Sequence, residues 1–251
     1  MWPFGNKRKY TVRRPGKPQA FAPYYEASPV PPNLEVDMRP SCPAVYDQRQ
    51  LGSCTGNGWA AFYEFMKPGM TPSRLDIYYY ERQHMGSQYT WQDSGAQLSD
   101  GAFVLNTRGV CDEKNWTYSD DPIKFRIKPP YWDDSQAKAS SKINPLAVSI
   151  NANDMKHCLM MGKPIVIGFD VYDSFESQQV AQNGIVPMPV SGEQMLGGHC
   201  VMIVGCSDSN GWWICRNSWG TSWGDKGYFY MPYAYLTDPN LASDFWTGSL
   251  V

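Results

Sequence analysis

No apolar run in the sequence approaches the roughly 20 residues that a bilayer-crossing helix needs, and the first thirty residues lack the apolar core of a secretory signal. Membrane anchoring and self-directed export are therefore not expected, and a cytoplasmic location is. Charge of one sign is also lacking: 22 basic residues against 24 acidic ones leave a formal net charge of -2, which offers nucleic acid or a membrane surface no general handle. Histidine is scarce, at three residues, and no histidine or cysteine pair has the two-to-four-residue spacing of zinc sites, so neither a metal nor another cofactor is expected. What is not scarce is apolar residues. With 42% hydrophobic and 18% charged residues the composition excludes disorder, and 251 residues suffice for a substantial core in one or two domains, expected as a monomer.

The chain is organised around Leu51-Gly52-Ser53-Cys54-Thr55. From Cys54 onward, Ala60, Ala61, Phe62, Phe65 and Met66 supply an apolar face and Lys67-Pro68-Gly69 a stop, predicting a helix from Cys54 to about Met66. A thiol at a helix start faces unpaired N–H groups and a partial positive charge, both of which favour thiolate. By residue type alone Cys54 fits a small buried core cysteine equally well.

Far along the chain stand Gly197-Gly198-His199-Cys200 and Asn217-Ser218-Trp219-Gly220-Thr221-Ser222-Trp223-Gly224. Together with Gln48, six residues before Cys54, these stretches resemble the papain-like cysteine peptidases from about Val36 to the C-terminus, and are most similar to short bacterial and viral members of xylellain-like form. The resemblance implies an α+β fold of two lobes over residues 36–251, mainly helical over 36–145 and an antiparallel β-sheet or barrel over 146–251, with the active-site cleft between them. It implies Cys54 as nucleophile, His199 as general base and acid, Asn217 as orienter of the imidazole, and Gln48 with the Cys54 N–H as oxyanion donors. A resting thiolate–imidazolium pair is expected. Trp219 would shield the His199–Asn217 hydrogen bond from water. Substrate contacts are expected from Ser94 and Gly95, whose alternative is an ordinary turn, and from Gly168, Gly198 and Trp219. Leu51 and Thr55 stand where the family usually has Cys and Trp, which removes a family disulfide. The six other cysteines, Cys42, Cys111, Cys158, Cys200, Cys206 and Cys215, are expected as free thiols.

Residues 1–35 differ in kind. Lys7, Arg8, Lys9, Arg13, Arg14 and Lys17 precede the first acid, Glu26, and seven prolines preclude a helix of useful length. One reading is a propeptide-like arm that inhibits the cleft of a zymogen; the other is a solvated basic tail. Further on, Ser73 caps a second helix to Gln83, Leu98 to Asn106 forms a third, and Asn153 to Met161 forms a short one. His84 reads as a polar helix end, His157 as exposed, and Met160 and Met161 as core filler. The polar run from Ser119 to Lys142 reads as surface connection, and β-rich runs begin at Ile165, His199, Trp212 and Gly227.

The implied activity is thiol proteolysis of a peptide or protein substrate through a thioester acyl-enzyme. Alternatives are an acyl transferase or peptide ligase using the same site, and an inactive peptide-binding relative.

Overall fold

The computed structural model describes residues 8–14 and 21–251; Lys7, Pro15, Lys17 and Pro18 of the arm lie outside the described residues. Helix α1 (Cys54–Met66) is the axis of the molecule. Every residue from Cys54 to Tyr63 is buried, because small and apolar side chains on all its faces leave no side that prefers water. Gly58 lets the sheet come close: a Cβ there would stand 2.7 Å from the Cys200 sulfur. Helices α2 (Arg74–Met85) and α3 (Leu98–Thr107) pack against α1 and complete the helical lobe. The Ser73 side chain accepts the Asp76 N–H at the start of α2, as its position predicts.

The other lobe is a seven-stranded antiparallel sheet made of β1 (Glu35–Asp37), β2 (Ile143–Ala147), β3 (Ile165–Tyr172), β4 (Met195–Ser207), β5 (Trp212–Arg216), β6 (Tyr228–Pro232) and β7 (Ala242–Leu250). The order is β2-β7-β3-β4-β5-β6, with β1 added to the end of β4. Strand β4 is the spine, since it pairs with β3, β5 and β1 along 13 residues. Its register sets His199 opposite Phe169 and Cys200 opposite Gly168. Four short helices, α4 (Tyr131–Ala139), α5 (Ala152–Met160), α6 (Gln178–Asn183) and α7 (Tyr233–Thr237), cover the margins. Among the described residues no helix is long and apolar enough to cross a membrane.

Three expectations are corrected. The run from Ser119 to Lys142 is more than a surface connection: it contains α4 and a 3₁₀ turn at Lys124–Arg126, whose Phe125 is buried with Leu51, Leu75 and Tyr78. Met160 and Met161 are exposed, at the end of a helix whose buried face is Met155, Cys158 and Leu159. His157 is half-buried, with its Nδ1 2.9 Å from the Tyr25 hydroxyl. Residues 21–34 explain that contact, because they lie along the β lobe: Tyr25 N–H donates to Ala147 O, Phe21 stacks on Trp246, and Leu34 N–H donates to Asp208.

Candidate active site

Cys54 begins α1 and is fully buried. The backbone N–H groups of Cys200, Thr55 and Cys54 itself face its sulfur, so the helix start and strand β4 meet there. His199, beside Cys200 on β4, is also fully buried. Its Nε2 lies 2.8 Å from Asn217 Oδ1, and that oxygen also accepts the Ser218 N–H. An oxygen already accepting from an amide is an acceptor for the ring as well, which assigns the imidazole proton to Nε2. Nδ1 is then a lone pair, buried and, among the described residues, without a hydrogen-bond partner.

Trp219 stacks on the His199 ring, 4.9 Å between centroids and 27° between planes. Behind it, Trp223, Phe175 and Phe229 form an aromatic pack. Gln48 is buried beside this group: its Oε1 accepts from Ser218 Oγ at 2.6 Å and its Nε2 donates to Leu51 O at 3.0 Å. The structure therefore joins His199, Asn217 and Gln48 through Ser218, and brings Cys54 against the His199–Cys200 segment.

Burial acts against the expected ion pair. Burial pushes the Cys54 thiol up to about 12, outweighing the N–H groups that favour thiolate. Burial also takes His199 down to about 4, opposed by the Asn217 hydrogen bond and assisted by the Arg8 guanidinium. With the arm in place, burial thus disfavours the charged form of both groups.

At His199 the arm contributes to that burial, through Tyr10 and Arg8. Residues 8–14 run extended through the cleft, and their side chains alternate between its walls with the two-residue period of extended backbone. Odd positions face the helical lobe: Lys9 pairs with Asp93 at 2.5 Å, Thr11 Oγ1 donates to Gly52 O, and Arg13 donates to Ser94 O and lies over the Tyr89 ring. Even positions face the β lobe: Arg8 lies over Trp219, Tyr10 lies edge-on to His199, Val12 packs by Gly168, and Arg14 pairs with Asp170. Main-chain bonds from Val12 N–H to Gly198 O and from Arg13 N–H to Ala96 O hold it in place. At Gly95 only a glycine fits. Its φ is +65°, and a Cβ would stand 1.9 Å from Thr11 O. All five positions read as substrate contacts, Ser94, Gly95, Gly168, Gly198 and Trp219, touch this segment.

Several residues of the site were not singled out from the sequence. Asp93 accepts from Gly52 N–H and from Tyr78 Oη as well as from Lys9, and so ties the approach to Cys54 to α2. Glu81 accepts from Thr55 Oγ1 at 2.7 Å, and burial pushes its carboxyl up to about 8. Thr55, standing where the family usually has Trp, was the signal that a polar partner lay beneath it. Ser218 lay inside the Asn217-to-Gly224 stretch, yet nothing in that pattern indicates that its hydroxyl holds Gln48.

Residues 33–244 match the papain family cysteine protease domain. The chain is 43% identical over 221 residues to an uncharacterized peptidase C1-like protein of Acanthamoeba polyphaga mimivirus, covering 82% of this chain and 70% of that one. It is 28% identical over 203 residues to the thiol protease aleurain of Arabidopsis thaliana and spans about half of that protein's length, 51%. Among solved structures, xylellain, a cysteine protease from Xylella fastidiosa, superposes with a TM-score of 0.88 at 34% identity over 99% of both chains. A digestive procathepsin L 3 of the Tenebrio molitor larval midgut shares the fold at a TM-score of 0.73 and 19% identity, over 98% of this chain and 76% of that one.

Proposed function

Since the chain belongs to the papain family of cysteine proteases, we propose that it hydrolyses peptide bonds through a thioester on Cys54, and that residues 1–35 are an arm holding the 36–251 peptidase domain latent. The observation that carries the chemistry is the His199–Asn217 hydrogen bond, which leaves Nδ1 as the one ring nitrogen able to take a proton. When the arm leaves and water returns, the penalty on charge falls. The Cys54 proton passes to His199 Nδ1, and thiolate attacks the carbonyl.

The oxyanion is held by the Cys54 N–H and the Gln48 amide, which Ser218 fixes through its other end. His199 then returns its proton to the leaving amine, and water, deprotonated by the same nitrogen, resolves the thioester. Asn217 adds no charge, so it orients the ring without competing for its proton. Ser94, Gly95, Gly168, Gly198 and Trp219 serve the substrate as they serve the arm. That a Tenebrio procathepsin shares the fold supports an arm of the propeptide kind.

Cys54→Ala abolishes cleavage and labelling by an epoxide thiol trap, whereas Cys42→Ala retains both. Deleting residues 1–35 raises kcat/KM on a short peptide. Full activity in Cys54→Ala would sink the assignment, and unchanged kcat/KM after truncation would sink latency. An added amine tells hydrolysis from transfer, since transfer gives an amide product.

A further inference from the structure

Arg14 is held as a ligand is held. Its Nη2 donates to Asp170 Oδ2 at 2.7 Å and its Nε to Oδ1 at 3.3 Å; Nη1 donates to Pro239 O at 3.1 Å and Nη2 to Asn240 O at 2.5 Å. Three residues thus converge on one guanidinium. The Asp170 side chain is only 13% exposed, and among the described residues its carboxylate takes hydrogen bonds from Arg14 alone. A carboxylate with that little water is stable where a cation completes it.

The receiving loop is built in advance. Asp238 accepts from Asn240 N–H through its side chain and from Leu241 N–H through its carbonyl, and Asp170 N–H donates to Leu241 O. Carboxylate and carbonyls are therefore parts of one braced unit. Asp93 makes the contrast: it pairs with Lys9 but also serves Gly52 and Tyr78, so its charge is already used within the fold.

We propose that the cleft contains a guanidinium subsite, formed by the Asp170 carboxylate and the carbonyls of Pro239 and Asn240, that selects peptides carrying arginine two residues from the side chain lodged at Gly168. The inference rests on the reading that substrates lie where the arm lies. Gly168 and Asp170 are two apart on β3 and share a face, so they repeat at roughly 6.6 Å. Val12 and Arg14 of the extended arm repeat at the same interval and occupy them in turn. Any extended peptide places alternate side chains there in the same way. Lysine is a poor substitute, because a single ammonium lacks the planar fork that reaches a carboxylate edge and two carbonyls at once.

The test uses the full chain carrying Arg14→Ala, so that the subsite is vacated. Arginine, lysine or alanine is placed in turn at each position of a short fluorogenic peptide. One position should show arginine favoured over alanine by about tenfold in kcat/KM, with lysine between them. Adding Asp170→Asn should bring the arginine-to-alanine ratio to about one, and Asp170→Glu should restore part of it. The same peptides, labelled and titrated by anisotropy into the chain carrying Cys54→Ala and Arg14→Ala, should give the same ratio in Kd without turnover. Binding with arginine preference but no cleavage, both in the Cys54-containing chain and after deletion of residues 1–35, would overturn the peptidase reading and leave the subsite standing. Absence of arginine preference in both assays, or a preference that survives Asp170→Asn, overturns the subsite.

Discussion

The two walls that face residues 8–14 are built from different physics. The helical-lobe wall is a buried polar network. Arg82, with no exposure, donates to the carbonyls of Tyr78, Tyr89, Thr90, Gln92 and Phe125 and so gathers three stretches of chain behind the cleft. Asp76, equally buried, pairs with Arg108 and accepts the Cys111 N–H. The β-lobe wall is an aromatic pack on a sheet, in which Phe169 and Trp219 lie against His199 and Phe175, Trp223 and Phe229 back them. One wall is held by directional bonds that fail singly; the other is held by area, which fails by degrees.

That contrast breaks first at Arg82. Arg82→Met removes the donor and leaves buried carbonyls unpaired, and should cost more than about 3 kcal/mol of stability in urea unfolding. A loss under 1 kcal/mol would mean that water replaces the guanidinium and that the wall is not held as described.

The next test is pH, and it reaches both walls through the arm. His199 is depressed to about 4 under the arm, from an ordinary value near 6.5. The occupied state therefore takes up a proton less readily than the vacated one. Arm binding is at full strength above the vacated value, weakens by up to about tenfold per pH unit below it, and loses no more once pH falls below about 4. Latency, measured as the ratio of truncated to full-length kcat/KM, should decline from pH 6.5 to 4. A ratio that rises with acid contradicts the downward push on His199.

On the aromatic wall, Trp219→Ala opens the His199–Asn217 bond to water and should lower kcat/KM of the truncated enzyme by about tenfold while moving stability less than Arg82→Met does. Equal kcat/KM would show that the stack packs the wall without guarding the bond. The smallest effect is Lys9→Ala. Its pair with Asp93 is half in water on the lysine side, so the arm should loosen by less than about 1 kcal/mol, and 0.5 M salt should erase the difference.

Much of this architecture was legible in the chain. The apolar run after Cys54 marked α1 to the residue, and the Gly-bounded β-rich runs marked β3 to β6 to within a few residues, β4 starting earlier than its run, because period and punctuation are local properties. Strands β2 and β7 were missed. Ile143-Asn144-Pro145 and Asp244 at φ +65° break the usual strand pattern, and only pairing with each other and with β3 makes strands of them. Phe125 and α4 were hidden for a similar reason: a polar, proline-bearing run shows its one buried aromatic only when Leu51, Leu75 and Tyr78 arrive to cover it.

By itself the sequence determined which side chains were available to meet: a cysteine at a helix start, a histidine on a β-rich run, an asparagine before Ser-Trp-Gly, and a basic arm preceding them all. These are matters of residue type and local conformation, which neighbours in the chain decide. Only the tertiary structure decided the direction in which their acidities move, since the upward push on Cys54 and the downward push on His199 follow from lost water, and no residue carries its burial in its own letter. It likewise decided that the arm's even residues meet the β lobe and its odd residues the helical one, because an extended chain has two faces until two walls close on them.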